Sequence, residues 1–508
     1  MRRAAFLLLA VPFFAACPAG WPDLCDDGAC DGGDSGVDAI QDVTPDVAGC
    51  DLGKDLKDSP KCIDDAIGVF VSPTGADTNE GTQAKPVATL AKALTINGKP
   101  RIYICEGTYA GSVDVTKAIA IYGGLKCDWT VGGTKPVLQA DKPAYAMKLT
   151  AGAVALVDLE VQGKDAGAAG ESSVGVFAVG LSSLTLRRDA IFAGAGANAT
   201  KPADIMDFVA RADDGKPGTA GAGGLLSGNV ACANGTGTSV GAAGGAPSGS
   251  GADGANGDPF GVYPVNPIGA TGGKGLSSAA SCGGGSTGQN GSYGPGGGAG
   301  VGAPKLGTLS ASGWTSQSGT AASSGKVGQG GGGGASLDLS GGGGGGGVGG
   351  CGGVAGQAGF GGGASVALLL VSTPATLELT ILTSKKAGDG AQGGTGQKAQ
   401  QGGNPGGATA GIACAGGGGG HGGSGGGGGG GAGGVSAGIL YSGAAPTIDG
   451  VSTPTATTLT GISLGTAGAA GLAGAGGAPF KTSAPASNGG QPGTAGVVGV
   501  AQAVLLAP

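Results

Sequence analysis

Aromatic residues make up only 4% of this 508-residue chain and charged residues 12%, and there is a single histidine, His421. So little bulk excludes the several side-chain cores that an ordinary chain of this length divides among roughly three or four domains. His421 stands inside the glycine stretch Gly416 to Gly431. A Ser-His-Asp site needs a held imidazole, so the sequence predicts a loop histidine there without catalytic work. No CxxC pair occurs, which argues against zinc, and no Gly-x4-Gly-Lys-Ser/Thr occurs, which argues against a phosphate-cradling nucleotide loop. No apolar run reaches the ~18 residues needed to cross a bilayer. Basic residues are outnumbered, leaving a net charge of −7 and a pI near 4.8. That balance excludes nucleic acid and anionic membrane surfaces as partners.

What the chain has in excess is glycine, 123 residues of it, about three times the usual share of roughly 7%. The glycine interrupts a unit that recurs three times, at residues 173–193, 365–385 and 436–464. In each, a serine opens an apolar run: Ser173-Val-Gly-Val-Phe-Ala-Val, Ser365-Val-Ala-Leu-Leu-Leu-Val and Ser436-Ala-Gly-Ile-Leu-Tyr. A second apolar run follows, at Leu184-Thr-Leu, Leu377-Glu-Leu-Thr-Ile and Leu459-Thr-Gly-Ile, and Gly496-Val-Val-Gly-Val begins a partial fourth copy. Recurring strand pairs separated by excursions predict a stacked repeat architecture. Insertions at equivalent positions of stacked units emerge on one face, so the excursions at 194–364, 386–435 and 465–496 should gather into one weakly charged layer.

At the amino terminus, Arg2 and Arg3 precede an apolar stretch from Ala4 to Phe14, too short to span a membrane, and then Ala15-Ala16-Cys17. This resembles a bacterial lipoprotein signal, which implies export, lipidation of Cys17 and anchoring in the cell envelope, at the outer membrane or cell surface. Phe14 stands where leucine is usual. Of eleven cysteines, ten remain once Cys17 carries the lipid, and an even remainder in an exported chain predicts disulfides. Cys105 and Cys127 flank one β-type segment and are the candidate local pair. Residues 17–66 hold thirteen aspartates against three lysines beyond Cys17 and read as a solvated acidic tether. Their Asp26–Asp38 run lacks the alternating spacing and terminal Glu of a calcium loop, so no metal or cofactor is predicted.

Folded structure begins at residue 67. Val69-Phe-Val, a turn through Asp77, Asn79 and Gly81, a short helix around Thr89 to Leu94, Arg101-Ile-Tyr-Ile-Cys105, the turn Glu106-Gly-Thr-Tyr109 and strands at Val113–Val115 and Ala118–Tyr122 lead to Trp129. From Val69 to Trp129 the chain resembles the opening of secreted pectate-lyase-like proteins. That resemblance implies an all-β fold, a right-handed parallel β-helix with a short N-terminal cap helix. Its first coils would occupy residues 67–193, with single coils at 365–385 and 436–464 and a terminal strand in 497–508. Runs at Ala144–Leu149, Val154–Val161, Val174–Val179 and Leu184–Leu186 fit further strands, for about seven to nine coils in all. The glycine-rich half resembles, in composition, surface proteins with polymorphic glycine-rich repeats.

Two questions follow for function. Gly465, Gly468, Gly471 and Gly474 recur every third residue, as do Gly215, Gly218 and Gly221, which suits a threefold helix with a closely approachable glycine edge. Uninterrupted runs such as Gly341–Gly347 and Gly425–Gly431 carry no such constraint and predict mobile loops. Relatives that cleave polysaccharides gather acids with a basic residue on one sheet. The nearest match is Asp158, Glu160, Arg187, Arg188 and Asp189, read as dressing solvent faces of adjacent coils; alternation at Asp158-Leu159-Glu160 puts both carboxylates outward. The sequence therefore predicts no catalytic site. It points to a surface protein with a structural or adhesive role, contacting extracellular polysaccharide or cell-surface matrix. A carbohydrate-active enzyme is the alternative.

Overall fold

The computed structural model describes residues 47–232, 237–248, 252–259, 282, 285–409, 412–452, 460–480 and 488–507. The fold is almost all β. Three sheets are built from strands that the chain visits in a fixed order. The first has eight strands, at Gly68–Val71, Arg101–Cys105, Ile119–Leu125, Ala153–Val157, Ser183–Arg187, Ala375–Glu378, Thr447–Ile448 and Val451–Ser452, all parallel except the last. The second has six short strands: Thr108–Ala110, Val137–Gln139, Glu160–Gln162, Ala190–Phe192, Ile381–Thr383 and Ile462–Ser463. The third has six: Val113–Val115, Met147–Leu149, Ser173–Val179, Ser365–Val371, Ser436–Ser442 and Ala501–Leu506.

Parallel in-register pairing stacks like residues into columns. In the second sheet, Leu138, Val161, Ile191, Leu382 and Ile462 are successive partners and face inward. Leu156, Leu186 and Leu377 do the same in the first sheet. Together with Val115, Leu149, Ala178 and Leu370 of the third sheet they form one elongated core. The helix Leu90–Thr95 closes its beginning. Thr89 caps that helix by accepting from the Lys92 N–H at 3.1 Å, and Asp77 anchors the cap through the Ala88 and Thr89 N–H groups.

The repeating unit has three strands where the sequence predicted two. Val154–Val161 does not form one run: the chain turns a corner at Asp158, whose φ is +57°, and enters the second sheet at Glu160. In the last unit Ile462–Ser463 supplies that second-sheet position and Thr447–Ile448 takes the place in the first sheet, while Leu459 lies outside the described residues. The fourth copy also shifts, because its strand is Ala501–Leu506 and residues 496–500 belong to the glycine region. The serines that open the runs are register partners, Ser173 with Ser365 and Ser365 with Ser436. They are fully buried and close the corner between second and third sheets. Ser365 Oγ donates to the Gly194 carbonyl at 2.7 Å and accepts from the Lys385 N–H at 2.8 Å.

Residues 47–66 are not a solvated tether. Leu56, Cys62 and Ile67 are buried against Phe70, Tyr103, Tyr122 and Val157 on the outer face of the first sheet. A Cys50–Cys62 bond, with an S–S distance of 2.05 Å, holds this cover. An outward aromatic column offers too much apolar surface to leave wet.

All three excursions leave the second sheet and return to the third, and they hydrogen-bond to one another. In residues 416–434, donors at every third position go to the same neighbour. Gly417, Gly420, Gly423, Gly426 and Gly429 donate to residues 332 through 320; Gly419, Gly422, Gly425 and Gly428 donate to residues 403 through 394; Ser424, Gly427 and Gly430 donate to residues 488 through 494. Carbonyls of the same stretch accept from residues 291–303, 347–362 and 468–477, so six chains surround it. This is the threefold geometry that the period-three glycines suggested. The uninterrupted runs, predicted to be mobile, occupy its centre and are buried throughout. With six neighbours no direction is left for a side chain: a Cβ at Gly428 would land on the Gln357 carbonyl, and one at Gly346 on the Gly331 carbonyl. At the edge only every third residue faces inward, and Gly468, Gly471 and Gly474 suffice. Gly221 belongs to a tight turn instead, at φ +108°.

Candidate functional site

Asp158, Glu160, Arg187, Arg188 and Asp189 fall where the first sheet turns into the second. Asp158 and Arg188, both at positive φ, occupy the same corner in successive units. Arg188 grips Asp158 with two hydrogen bonds, Nε to Oδ1 at 2.8 Å and Nη2 to Oδ2 at 2.5 Å, and its Nη1 lies 2.7 Å from Asp55 in the covering segment. Arg187 pairs with Glu378 at 2.7 Å. The hydrogen bond with Asp158 holds the Arg188 guanidinium above its ordinary pKa, against burial. Burial works to raise Asp55, and the hydrogen bond and charge of Arg188 outweigh it, leaving that carboxyl below its usual value.

Asp189 departs from the solvent-facing prediction. It is fully buried, and its two oxygens accept from the Leu159 and Arg187 N–H groups at 2.9 and 3.0 Å. Burial pushes its pKa up to about 8 against the opposing pull of those two bonds. The corner between the sheets leaves these amides without strand partners, and the Asp189 carboxyl supplies the acceptors. The cluster therefore fastens corner to cover. Its acids and bases are spent on one another, and Glu160 turns to Gln162 Nε2 at 2.6 Å.

His421 is not a loose loop residue. Its imidazole is buried in the glycine bundle, stacked on Tyr293 with centroids 4.8 Å apart and against Phe480 at 4.2 Å. Nδ1 accepts from the Gly402 N–H at 3.0 Å. The ring plugs the one place where the central chain carries a large side chain, and no serine–aspartate pair accompanies it in these contacts. Residues 198–214 and 389–404 form an edge bearing charge, where Asp204, Asp207 and Asp214 accept from the Thr395, Lys398 and Asn404 N–H groups at 2.9, 2.8 and 2.7 Å. The layer is thus less uncharged than composition suggested. These side chains consume edge donors that would otherwise recruit another chain.

Cys105 and Cys127 lie 2.10 Å apart at sulfur, and the glycine region holds two further bonds, Cys232–Cys351 and Cys282–Cys414. Spacing gave no means of pairing these four, because their contacts depend on how the bundle packs. Cys17 lies outside the described residues. Among the described residues no group of histidine, cysteine and carboxylate side chains could hold a metal ion, and no helix is long and apolar enough to cross a membrane. No protein-family model matches the chain, and no curated protein and no solved structure matches it significantly.

Proposed function

We propose that the chain is an exported lipoprotein of the cell envelope, held by lipid on Cys17 at the outer membrane or cell surface. In this reading a right-handed parallel β-helix displays a glycine-built layer with a structural or adhesive role. The observation that carries it is the common exit and return of the three excursions, which hydrogen-bond into one body at one corner of the stack. The fixed order of sheets supports a continuous winding, and parallel connections of this kind are overwhelmingly right-handed. The pairing of Arg188 with Asp158 and Asp55 supports a fastening role over a polysaccharide-cleaving one. Four cysteine pairs at bonding distance suit an oxidising compartment.

Anchoring gives the test. Two or three acyl chains hold a protein on a membrane where one does not. In the producing bacterium, Cys17→Ser should move the protein from the membrane fraction to the soluble one. Undiminished membrane retention of the variant would overturn the anchor.

A further inference from the structure

A column on the outer face of the third sheet changes character along the stack. Its register partners read Asp114, Lys148, Phe177, Leu369, Leu440 and Leu505. The leucines lie under the first excursion, which sends the hairpin Gly307–Ser310 and Gly313–Ser316 back onto this face and buries Trp314 against Phe177 and Leu369. The charged beginning of the column stays open. Between the two remains a cleft of about 470 Å³, lined by Tyr145, Lys148, Glu171, Phe177, Trp314 and Phe360 among others.

Its chemistry is mixed in a specific way. Phe360 stands 57% exposed at the rim, although an aromatic ring is costly to leave in water. The Trp314 ring is largely buried, and its indole N–H is already satisfied by Ser316 Oγ at 3.1 Å, so the little of it that lines the cleft is apolar. The Lys148 ammonium lies 5.3 Å from the Phe177 ring centre and 5.9 Å from that of Tyr145, and no carboxylate among the described residues forms an ion pair with it. Glu171 is fixed by Oε2, which accepts from the Gly167 and Ala168 N–H groups at 3.0 Å each, and Oε1 has no protein partner among the described residues. The cleft thus presents aromatic rings, the fixed Glu171 acceptor and the Lys148 donor beside Ser172, Ser312, Thr315 and Ser318, with formal charges that cancel.

We infer that this cleft binds a neutral saccharide. A pyranose has an apolar face of C–H groups to lie on aromatic rings and hydroxyls that both donate and accept, which matches Lys148 and Glu171 together. A polyanion would meet Glu171 and an apolar ligand would strand both charges unpaired. The site exists only because the excursion's hairpin folds onto the sheet. Glycine insertions here do more than thicken a layer: they complete a pocket that the sheet alone lacks. The inference rests on the contact role proposed above only in supplying its partner; anchoring by Cys17 stands or falls separately.

The test uses the full mature chain with hexasaccharides of glucose, mannose and galactose, and a galacturonic acid hexamer as the charged comparison. Titration calorimetry should show saturable binding of at least one neutral hexamer, with a change in tryptophan emission from Trp314. Phe360→Ala, at an exposed ring, should weaken that binding by about tenfold. Lys148→Met should weaken it while leaving the melting temperature unchanged, and Val209→Ala, a fully exposed side chain elsewhere, should do nothing. Absence of binding by all three neutral hexamers overturns the inference. So does tighter binding of the acidic hexamer, or neutral binding that both Phe360→Ala and Lys148→Met leave unchanged.

Discussion

The sheet stack and the glycine bundle solve the same problem with opposite materials. In the stack, water is excluded by columns such as Leu138–Val161–Ile191–Leu382, and backbone polar groups are satisfied along three ladders. In the bundle there are almost no side chains to exclude water, and backbone itself is the core. Each inner chain gives its N–H groups to three neighbours and takes from three others. Glycine, the residue most costly to order because it has most freedom to lose, is used here where nothing else fits. The order it acquires comes from density of backbone hydrogen bonds and close packing rather than transferred apolar surface. A core of this kind tolerates substitution by position in the lattice, not by hydrophobicity.

That contrast is broken most severely at the lattice centre. Gly428→Val must push aside the Gln357 carbonyl, and rigid backbone on every side prevents relief. The expected loss exceeds about 5 kcal/mol, at the exceptional end for single substitutions. Gly407→Val, where a Cβ meets nothing within 4 Å, should change stability by no more than about 0.5 kcal/mol. Denaturant unfolding, followed by hydrogen exchange at bundle amides, distinguishes them. Equal losses from both would mean that the runs are not central.

The covalent staples sharpen the comparison next. Cys232–Cys351 and Cys282–Cys414 span 119 and 132 residues of the glycine region, whereas Cys105–Cys127 spans 22 in the stack. Chain-entropy reasoning gives about 4.7 kcal/mol for a loop near 100 residues and about 3 kcal/mol for a short one. A bundle without a side-chain core should feel that difference. Replacing Cys282 and Cys414 together by serine should lower bundle stability by about that larger amount, and replacing Cys105 and Cys127 by the smaller one, each read by denaturant midpoint. A larger loss from the stack pair would contradict the ranking.

How much of this was legible follows the same division. Serine-led runs could be aligned by eye, and Ser173, Ser365 and Ser436 indeed occupy one register position. Three-residue strands such as Glu160–Gln162 are too short to show a period, so the third strand of each unit was invisible. Gly341–Gly347 read as mobile because a glycine run alone says nothing of neighbours, and its neighbours come from segments distant in the chain. The period-three edges carried the true signal, since there the sequence must alternate between facing in and facing out. Residues 47–66 misled through their aspartates, while Leu56, Cys62 and Ile67 supplied the buried contacts. Asp189 and His421 were judged by exposed surroundings they do not have. The saccharide cleft was out of reach, for Phe177, Trp314 and Phe360 belong to segments that meet only when the hairpin folds back.

The finest separation between the two regions is by pH. Corners of the stack leave amides that side chains must take, and at Asp189 the acceptor is a titratable carboxyl buried with a pKa near 8. Inside the bundle most amides go to carbonyls, which do not titrate, and edge carboxyls that accept amides, such as Asp204 and Asp389, are held below the usual carboxylate value. Because the folded value of Asp189 lies above that of the unfolded chain, the folded state binds the extra proton. Its contribution is therefore fully present below about pH 4 and is lost progressively as pH rises to about 8, at up to about 1.4 kcal/mol per unit. Carboxyls with lowered values, such as Asp55 beside Arg188, act in the other direction and only at more acid pH. Asp189→Asn keeps one oxygen to accept from an amide and removes the titration, at a cost of about 1 kcal/mol for the lost second bond. Hydrogen exchange at stack amides should accelerate between pH 4 and 8 in the parent, after correction for intrinsic rates, and much less in Asp189→Asn. Bundle amides that donate to carbonyls, such as those of Gly417, Gly425 and Gly428, should follow neither trend. Parent and variant profiles that superimpose across that range would show that the corner carboxyl does not set the stability of the stack.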